Sequence, residues 1–216
     1  MISEVDWRDD KQLARLLKAA QLKVSSTCMQ DIDWRASRGL NRALMAELAT
    51  AQWVRDGRSV LLTRATGCGK TWLACALARQ AARAGHAVLY TRTARLLQEL
   101  HVAHGDGSFK RRLGQLARVQ LLVLDDFALT PIAANERSDL LELLDDRVGS
   151  RATIITSQLP PTAWHAWLGE PTLADAILDR VVHGAHKIAL KGESMRRSRA
   201  ASTAEDAVAQ DVGQVG

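Results

Sequence analysis

Seven consecutive residues, Ala65-Thr66-Gly67-Cys68-Gly69-Lys70-Thr71, have the types and spacing needed to hold a chain of phosphates. Gly67 and Gly69 let backbone N–H groups curl toward anionic oxygens, and a helix opening at this point adds the positive end of its dipole. Lys70 would reach the β and γ phosphates of ATP. The Thr71 hydroxyl would ligate Mg2+, an ion that takes few protein ligands. Cys68 and Trp72 complete the candidate nucleotide-binding run Gly67, Cys68, Gly69, Lys70, Thr71, Trp72. The full pattern has glycine at position 64, where this chain has Arg64. A positive φ there would cost a side chain roughly 1–2 kcal/mol. The guanidinium could crowd the pocket and weaken ATP binding, or it could swing outward or even face the phosphates, either of which would leave the site in place.

A second signal is Leu121-Leu122-Val123-Leu124-Asp125-Asp126, an apolar run too continuous for a half-exposed strand, ending in two carboxylates. Ligands of open α/β sheets sit at the carboxyl ends of strands, so Asp125 is expected beside Lys70 and Thr71, helping to hold Mg2+. Asp126 would orient or deprotonate the attacking water. A third apolar run, Thr153-Ile154-Ile155-Thr156-Ser157-Gln158, ends in polar residues. Where a strand is inserted between these two motifs, its end can carry a polar group that senses the γ-phosphate. Gln158 or Ser157 is the candidate, and a plain strand-end cap is the alternative.

These residues need a scaffold that brings separate strand ends together. From residue 59 onward short apolar runs alternate with helical patterns, which predicts an α/β fold with a parallel sheet sandwiched by helices. Strands are expected at residues 60–63, 87–92, 120–124, 153–156 and 187–190, and helices at 71–84, 94–103, 133–148 and 172–182. Ahead of them lies a helical arm. Residues 9–21 place Leu13, Leu16, Leu17 and Ala20 on one face, with Lys11, Arg15 and Lys18 mainly elsewhere. A polar stretch at 23–27 follows, and then a second helical pattern to about residue 55 with Leu40, Leu44, Leu48 and Ala51 as its stripe. The expected division is residues 1–58 for arm and linker, 59–192 for the core, and 193–216 for a basic and then disordered tail.

Composition narrows the function classes. With 47% hydrophobic and 25% charged residues the 216-residue chain should fold in water, and no apolar stretch approaches the ~20 residues that span a bilayer. Cys28, Cys68 and Cys75 include no CxxC pair, so neither a zinc site nor a disulfide framework is suggested, and a cytoplasmic location fits. A net charge of +5 favours polyanionic partners. Nothing resembles a zinc finger or an aromatic RNA-binding signature, so duplex DNA would be held through its backbone. The candidates are Arg8, Lys11, Arg15, Lys18, Arg35, Arg38 and Arg42 on the arm, with Lys110, Arg111 and Arg112 in the core. A solvated basic surface is the alternative for each. Trp164 and Trp167 share a helical face and read as core packing, the six histidines show no ligand spacing, and Asp145-Asp146 reads as a solvated helix face.

The runs Gly67-Cys68-Gly69-Lys70-Thr71-Trp72-Leu73-Ala74, Thr156-Ser157-Gln158-Leu159-Pro160 and Pro171-Thr172-Leu173-Ala174-Asp175-Ala176-Ile177-Leu178-Asp179-Arg180 resemble the IstB family, and Gly192-Glu193-Ser194-Met195-Arg196 is similar to it as well. The resemblance runs from about Asp9 to Arg197. It implies a P-loop NTPase core of AAA+ type, related to DnaC-type helicase loaders, that assembles into homo-oligomers on DNA and serves a cognate transposase as an ATPase helper. It also implies that Arg180 is similar to an arginine finger reaching a neighbouring subunit's ATP, where the residue types alone suggest a solvated arginine without a local ion pair. The family pattern has more helical sequence ahead of Trp7, and the short stretch after Leu190 leaves no room for a separate C-terminal lid, although Arg196 could approach phosphate or DNA. Two other functions stay open: a nucleotide-insensitive DNA- or transposase-binding module disabled by Arg64, and a DnaC-like helicase loader.

Overall fold

Leu61 and its neighbours Val60 and Leu62 are all fully buried, yet they enter two different hydrophobic clusters. That alternation is the signature of a strand covered on both faces. The computed structural model describes residues 4–34 and 39–191, with side chains from residue 10 onward. Among these residues, five parallel strands, β1 (Val60–Thr63), β2 (Val88–Arg92), β3 (Leu121–Phe127), β4 (Ala152–Ser157) and β5 (His186–Ala189), form one sheet in the order β2-β3-β4-β1-β5. β4 therefore lies between the strands that end in the two phosphate-handling motifs, an order that the sequence reading leaves open.

Helices α1 (Glu4–Ala20), α2 (Arg42–Ala49), α3 (Gln52–Arg55) and α4 (Lys70–Arg83) cover one face. The other carries α5 (Thr93–Gly105), α6 (Phe109–Arg118), α7 (Ala134–Asp145), α8 (Pro161–Leu168) and α9 (Pro171–Val182). The arm is not an appendage. Ala20, Ile32, Met45, Leu48, Trp53 and Val54 belong to the same cluster as Val60, Leu62 and the buried face of α4.

Among the elements that differ from the sequence reading, three do so for a clear local reason. The stripe expected to run unbroken to residue 55 splits at Ala51, which takes a left-handed φ of 57° between α2 and α3. Helix α7 ends at Asp145, three residues early, because Arg147 turns inward. Helix α6 was not expected; its apolar face is short, Leu113 and Leu116 buried with Phe109 packed against the same cluster, in an otherwise strongly basic segment. Trp164 is fully buried and packs on Phe127 with ring centroids 4.7 Å apart, and Trp167 lies 5.0 Å from the same ring, which matches the packing role.

Arg147 was not singled out by sequence. Its side chain is 1% exposed and donates to the carbonyls of Leu116 (2.7 Å), Val119 (2.8 Å) and Ala152 and to the Thr153 hydroxyl (3.1 Å). Burial, with Arg151 adding, pushes its pKa down to about 9, so it stays charged at neutral pH. One guanidinium thus ties the exit of α6 and the segment after α7 to the start of β4.

Candidate functional site

The loop between β1 and α4 is shaped by glycine. Gly67 and Gly69 have φ of 91° and 85°, left-handed values at which a side chain is strained. Gly69 is the N-cap of α4 and no side chain caps that helix, so its first-turn N–H groups have no intrahelical partner and face the loop. Cys68 is buried between the glycines. The Lys70 ammonium lies within the loop and donates to the carbonyls of Arg64 and Ala65, the latter at 3.0 Å. Burial lowers its pKa, opposed by the nearby Cys68, Asp126 and Asp125. Trp72 packs half-buried against the arm-side core, so its direct offering to an anion is its backbone N–H in the first turn of α4.

Arg64 does not obstruct this cradle. Among the described non-glycine residues only Gln21, Ala51, Asp126 and Ala128 have positive φ, so position 64 imposes no left-handed strain on arginine. Its backbone N–H donates to the Ser157 carbonyl (3.1 Å), and its guanidinium donates to the Leu190 carbonyl (3.1 Å), beyond the end of β5. Of these alternatives, the outward swing is the one observed. Arg64→Gly is accordingly expected to change ATP affinity by less than about threefold, read by titrating a fluorescent ATP analogue, since no strain or clash is relieved.

Asp125 is the hub of the site. It is fully buried, and its carboxylate accepts from Thr71 Oγ1 (3.0 and 3.1 Å), from the Tyr90 hydroxyl (2.6 Å) and from the Thr156 hydroxyl. Burial, followed by the hydrogen bond to Asp125, raises the Tyr90 pKa well above its ordinary value, so Tyr90 remains a donor. Thr93, at the start of α5, donates to the Asp125 carbonyl (3.1 Å). Tyr90 and Thr156 are supporting residues that sequence reasoning missed. Thr156 lay in a quoted run and the chain has a single tyrosine, inside a predicted strand, but only strand order could reveal that both flank Asp125.

β3 gains one residue against β4 between Leu124 and Phe127, a bulge that re-aims the following side chain. Asp126 sits in it with φ 58°, half-buried, its N–H held by the Thr156 hydroxyl (3.1 Å). Such a left-handed non-glycine residue stores backbone strain of the kind found at functional positions. Thr71 and Asp125 suit Mg2+, which keeps most of its ligands as water or substrate oxygen. No group of three or more His, Cys, Asp or Glu able to hold a metal occurs among the described residues, so this pair and the substrate would supply the ligands.

Of the two candidates at the end of β4, Ser157 is committed to structure. It is buried, donates to the Phe127 carbonyl (2.8 Å), and accepts from Trp164 Nε1 (3.1 Å) and the Leu159 N–H (3.2 Å). Gln158 Oε1 instead accepts from the Thr66 hydroxyl at 2.8 Å and so faces the phosphate loop.

Arg180 is not brought to this cluster. It shares a crevice with Ser59 and Thr153 near the amino ends of β1 and β4, at the opposite edge of the sheet. It has no local ion pair, as its spacing implies, but it is not simply solvated: its Nε donates to the distant Asp145 Oδ1 at 2.6 Å, and its second nitrogen donates to the Ala176 carbonyl at 2.9 Å. Sequence spacing could not show the pair, because α7 and α9 meet only in the folded chain. The Asp145 face is therefore not merely solvated.

Lys11, Arg15, Lys18 and Arg42 are exposed, and the Arg42 guanidinium stacks 5.1 Å from the Trp34 ring. In the core, Lys110 and Arg111 are exposed while Arg112 pairs with Glu99 at 2.8 Å. The Arg8 side chain, Arg35, Arg38, Arg196 and the tail from residue 193 lie outside the described residues. Among the described residues no helix is long and apolar enough to cross a membrane.

Known proteins share this fold. The fold matches DnaI (TM-score 0.64, 20% identity, 82% of this chain and 94% of that one) and the DnaC helicase loader (TM-score 0.58, 18% identity, 73% and 98%). It also matches DnaA from Aquifex aeolicus bound to AMPPCP (TM-score 0.63, 17% identity, 82% and 53%), so the chain has the parallel α/β fold of these domains. In sequence, the insertion sequence ATP-binding protein y4pL of Sinorhizobium fredii is 48% identical over 91% of this chain and 80% of its own length. The ATP-binding protein of insertion sequence IS1162 from Pseudomonas fluorescens is 56% identical over 73% and 68%. The family model described as "IstB-like ATP binding protein" matches residues 1–203, and with the P-loop, Asp125 and Gln158 assembled at one sheet edge the chain belongs to the IstB-like family of ATP-binding proteins.

Proposed function

We propose that this protein is a DNA-binding ATPase that works as a homo-oligomer in the cytoplasm and assists an insertion-sequence transposase. The observation that carries the reading is the Thr71–Asp125 contact beside the uncapped start of α4, which joins an anion cradle to a buried carboxylate. Relatives named for insertion sequences at 48% and 56% identity, against 20% for DnaI, favour transposition over helicase loading. The position of Arg64 weighs against a disabled, nucleotide-insensitive module.

In this reading Lys70 and the first-turn N–H groups of α4 grip the β and γ phosphates of ATP. Mg2+, held by Thr71 and Asp125, supplies charge neutralisation on the phosphate oxygens. Asp126 orients the water and takes its proton as the water oxygen bonds to the γ phosphorus and the bond to the β–γ bridging oxygen breaks. Gln158 touches the γ-phosphate side of the loop and registers its loss. Arg180 of one protomer leaves Asp145 and reaches the ATP of its neighbour.

DNA is held through its phosphates by the exposed stripe Lys11, Arg15 and Lys18, spaced four and three residues apart on α1. Fluorescence anisotropy with a labelled duplex tests this. The logarithm of affinity should fall linearly with log salt, and replacing all three residues by alanine should make that slope shallower by about 2 to 3. Salt-independent binding, or an unchanged slope in the triple variant, would overturn the assignment.

A further inference from the structure

Lys23 lies in the polar stretch that links α1 to the rest of the arm, and its ammonium is 3.7 Å from Asp125 Oδ2 with the side chain about a third exposed. The approach is built, not incidental. Gln21 takes a left-handed φ of 52° directly after the buried Ala20, which ends α1 and turns the chain toward the sheet edge. Leu22 and Val24, on either side of Lys23, pack into the arm-side core, and the buried Thr27 donates to the Val24 carbonyl at 3.2 Å.

Helix α4 holds the same segment from the other side. Thr71, Cys75 and Arg79 follow one another at four-residue steps and so share a face of that helix. Thr71 touches Asp125, the Cys75 thiol meets the backbone of Val24 and Lys23, and Arg79 donates to the Ser25 carbonyl at 2.7 Å. One helix face thus runs from the phosphate loop to the turn that carries Lys23.

We propose that Lys23 is a positioning residue that competes with the divalent cation for Asp125, and so transmits metal–nucleotide occupancy to the basic helix α1. The inference rests on the reading of Asp125 as the Mg2+ carboxylate. A cation arriving at Asp125 and Thr71 brings two positive charges to a carboxylate already paired with Lys23. Like charges repel, and Lys23, partly exposed and held by one long contact, is the partner free to leave. Its departure loosens the Gln21–Thr27 turn and with it the end of α1. Nucleotide state would then set the orientation of Lys11, Arg15 and Lys18 without any contact between ATP and those residues.

The test compares wild type, Lys23→Met and Lys23→Arg. AMPPNP affinity is measured in EDTA and in Mn2+, and the ratio of the two gives the metal's contribution. That ratio should rise about two- to fivefold in Lys23→Met, where the competitor is gone, and return to the wild-type value in Lys23→Arg. Hydrogen exchange supplies the second readout. Mn2+ with AMPPNP should speed exchange at the end of α1 and across residues 21–27 in wild type and in Lys23→Arg, while Lys23→Met should exchange fast in both conditions. An equal ratio in wild type and Lys23→Met, or exchange in wild type that does not respond to the metal nucleotide, would overturn the coupling while leaving the ATP site intact. Failure of wild type to bind AMPPNP more tightly with Mn2+ than in EDTA would sink the metal assignment of Asp125 and this inference together.

Discussion

Arg180→Ala is expected to slow ATP hydrolysis about 10³-fold while leaving ATP affinity within about threefold of wild type. The side chain sits at the sheet edge opposite Lys70 and cannot serve the ATP of its own protomer. An arginine that completes a neighbour's site stabilises charge only as the γ-phosphate transfers, so its loss lowers the rate and spares binding. Mixing makes the expectation sharp. Arg180→Ala protomers have an intact phosphate loop and lack the arginine, whereas Lys70→Ala protomers have the reverse. A mixture should recover a substantial part of the wild-type rate through composite sites. No recovery, together with weakened ATP binding in Arg180→Ala alone, would return Arg180 to a structural role as the ion-pair partner of Asp145.

The second large effect is on stability. Arg147→Ala should destabilise the fold by about 3–5 kcal/mol and lower the melting midpoint by about 10 °C. The substitution leaves the carbonyls of Leu116, Val119 and Ala152 without their shared donor in a buried setting. Lysine should not rescue it, because a single ammonium cannot reproduce the planar fork that spans carbonyls from two directions. Thermal melting by circular dichroism reads the effect, and a shift under about 3 °C would show that the loop relaxes around the loss.

What the sequence made legible follows from which forces are local. Val60–Thr63 matches its expected span because three large apolar residues and a threonine, bounded by charge and a glycine loop, suit a short buried strand. The phosphate loop was readable because its glycines, lysine and threonine act within one turn of chain. Asp125 followed from its place at the end of an apolar run. Its surroundings did not. Tyr90, Thr156 and Lys23 come from three distant segments that strand order and the turn at Gln21 bring together, and no spacing rule encodes that convergence. Arg64 had two opposite readings because sequence shows neither φ nor the carbonyl of Leu190. The Arg180–Asp145 pair was invisible for the same reason, as it joins two helices 35 residues apart.

The central claim is that this P-loop is a working ATPase coupled to DNA, and the most direct test is steady-state ATP hydrolysis by wild type and Lys70→Ala, each with and without duplex DNA. Hydrolysis by wild type that rises with duplex at low salt, falls back as salt increases, and vanishes in Lys70→Ala is the predicted result. A rate that ignores both Lys70 and DNA would contradict it.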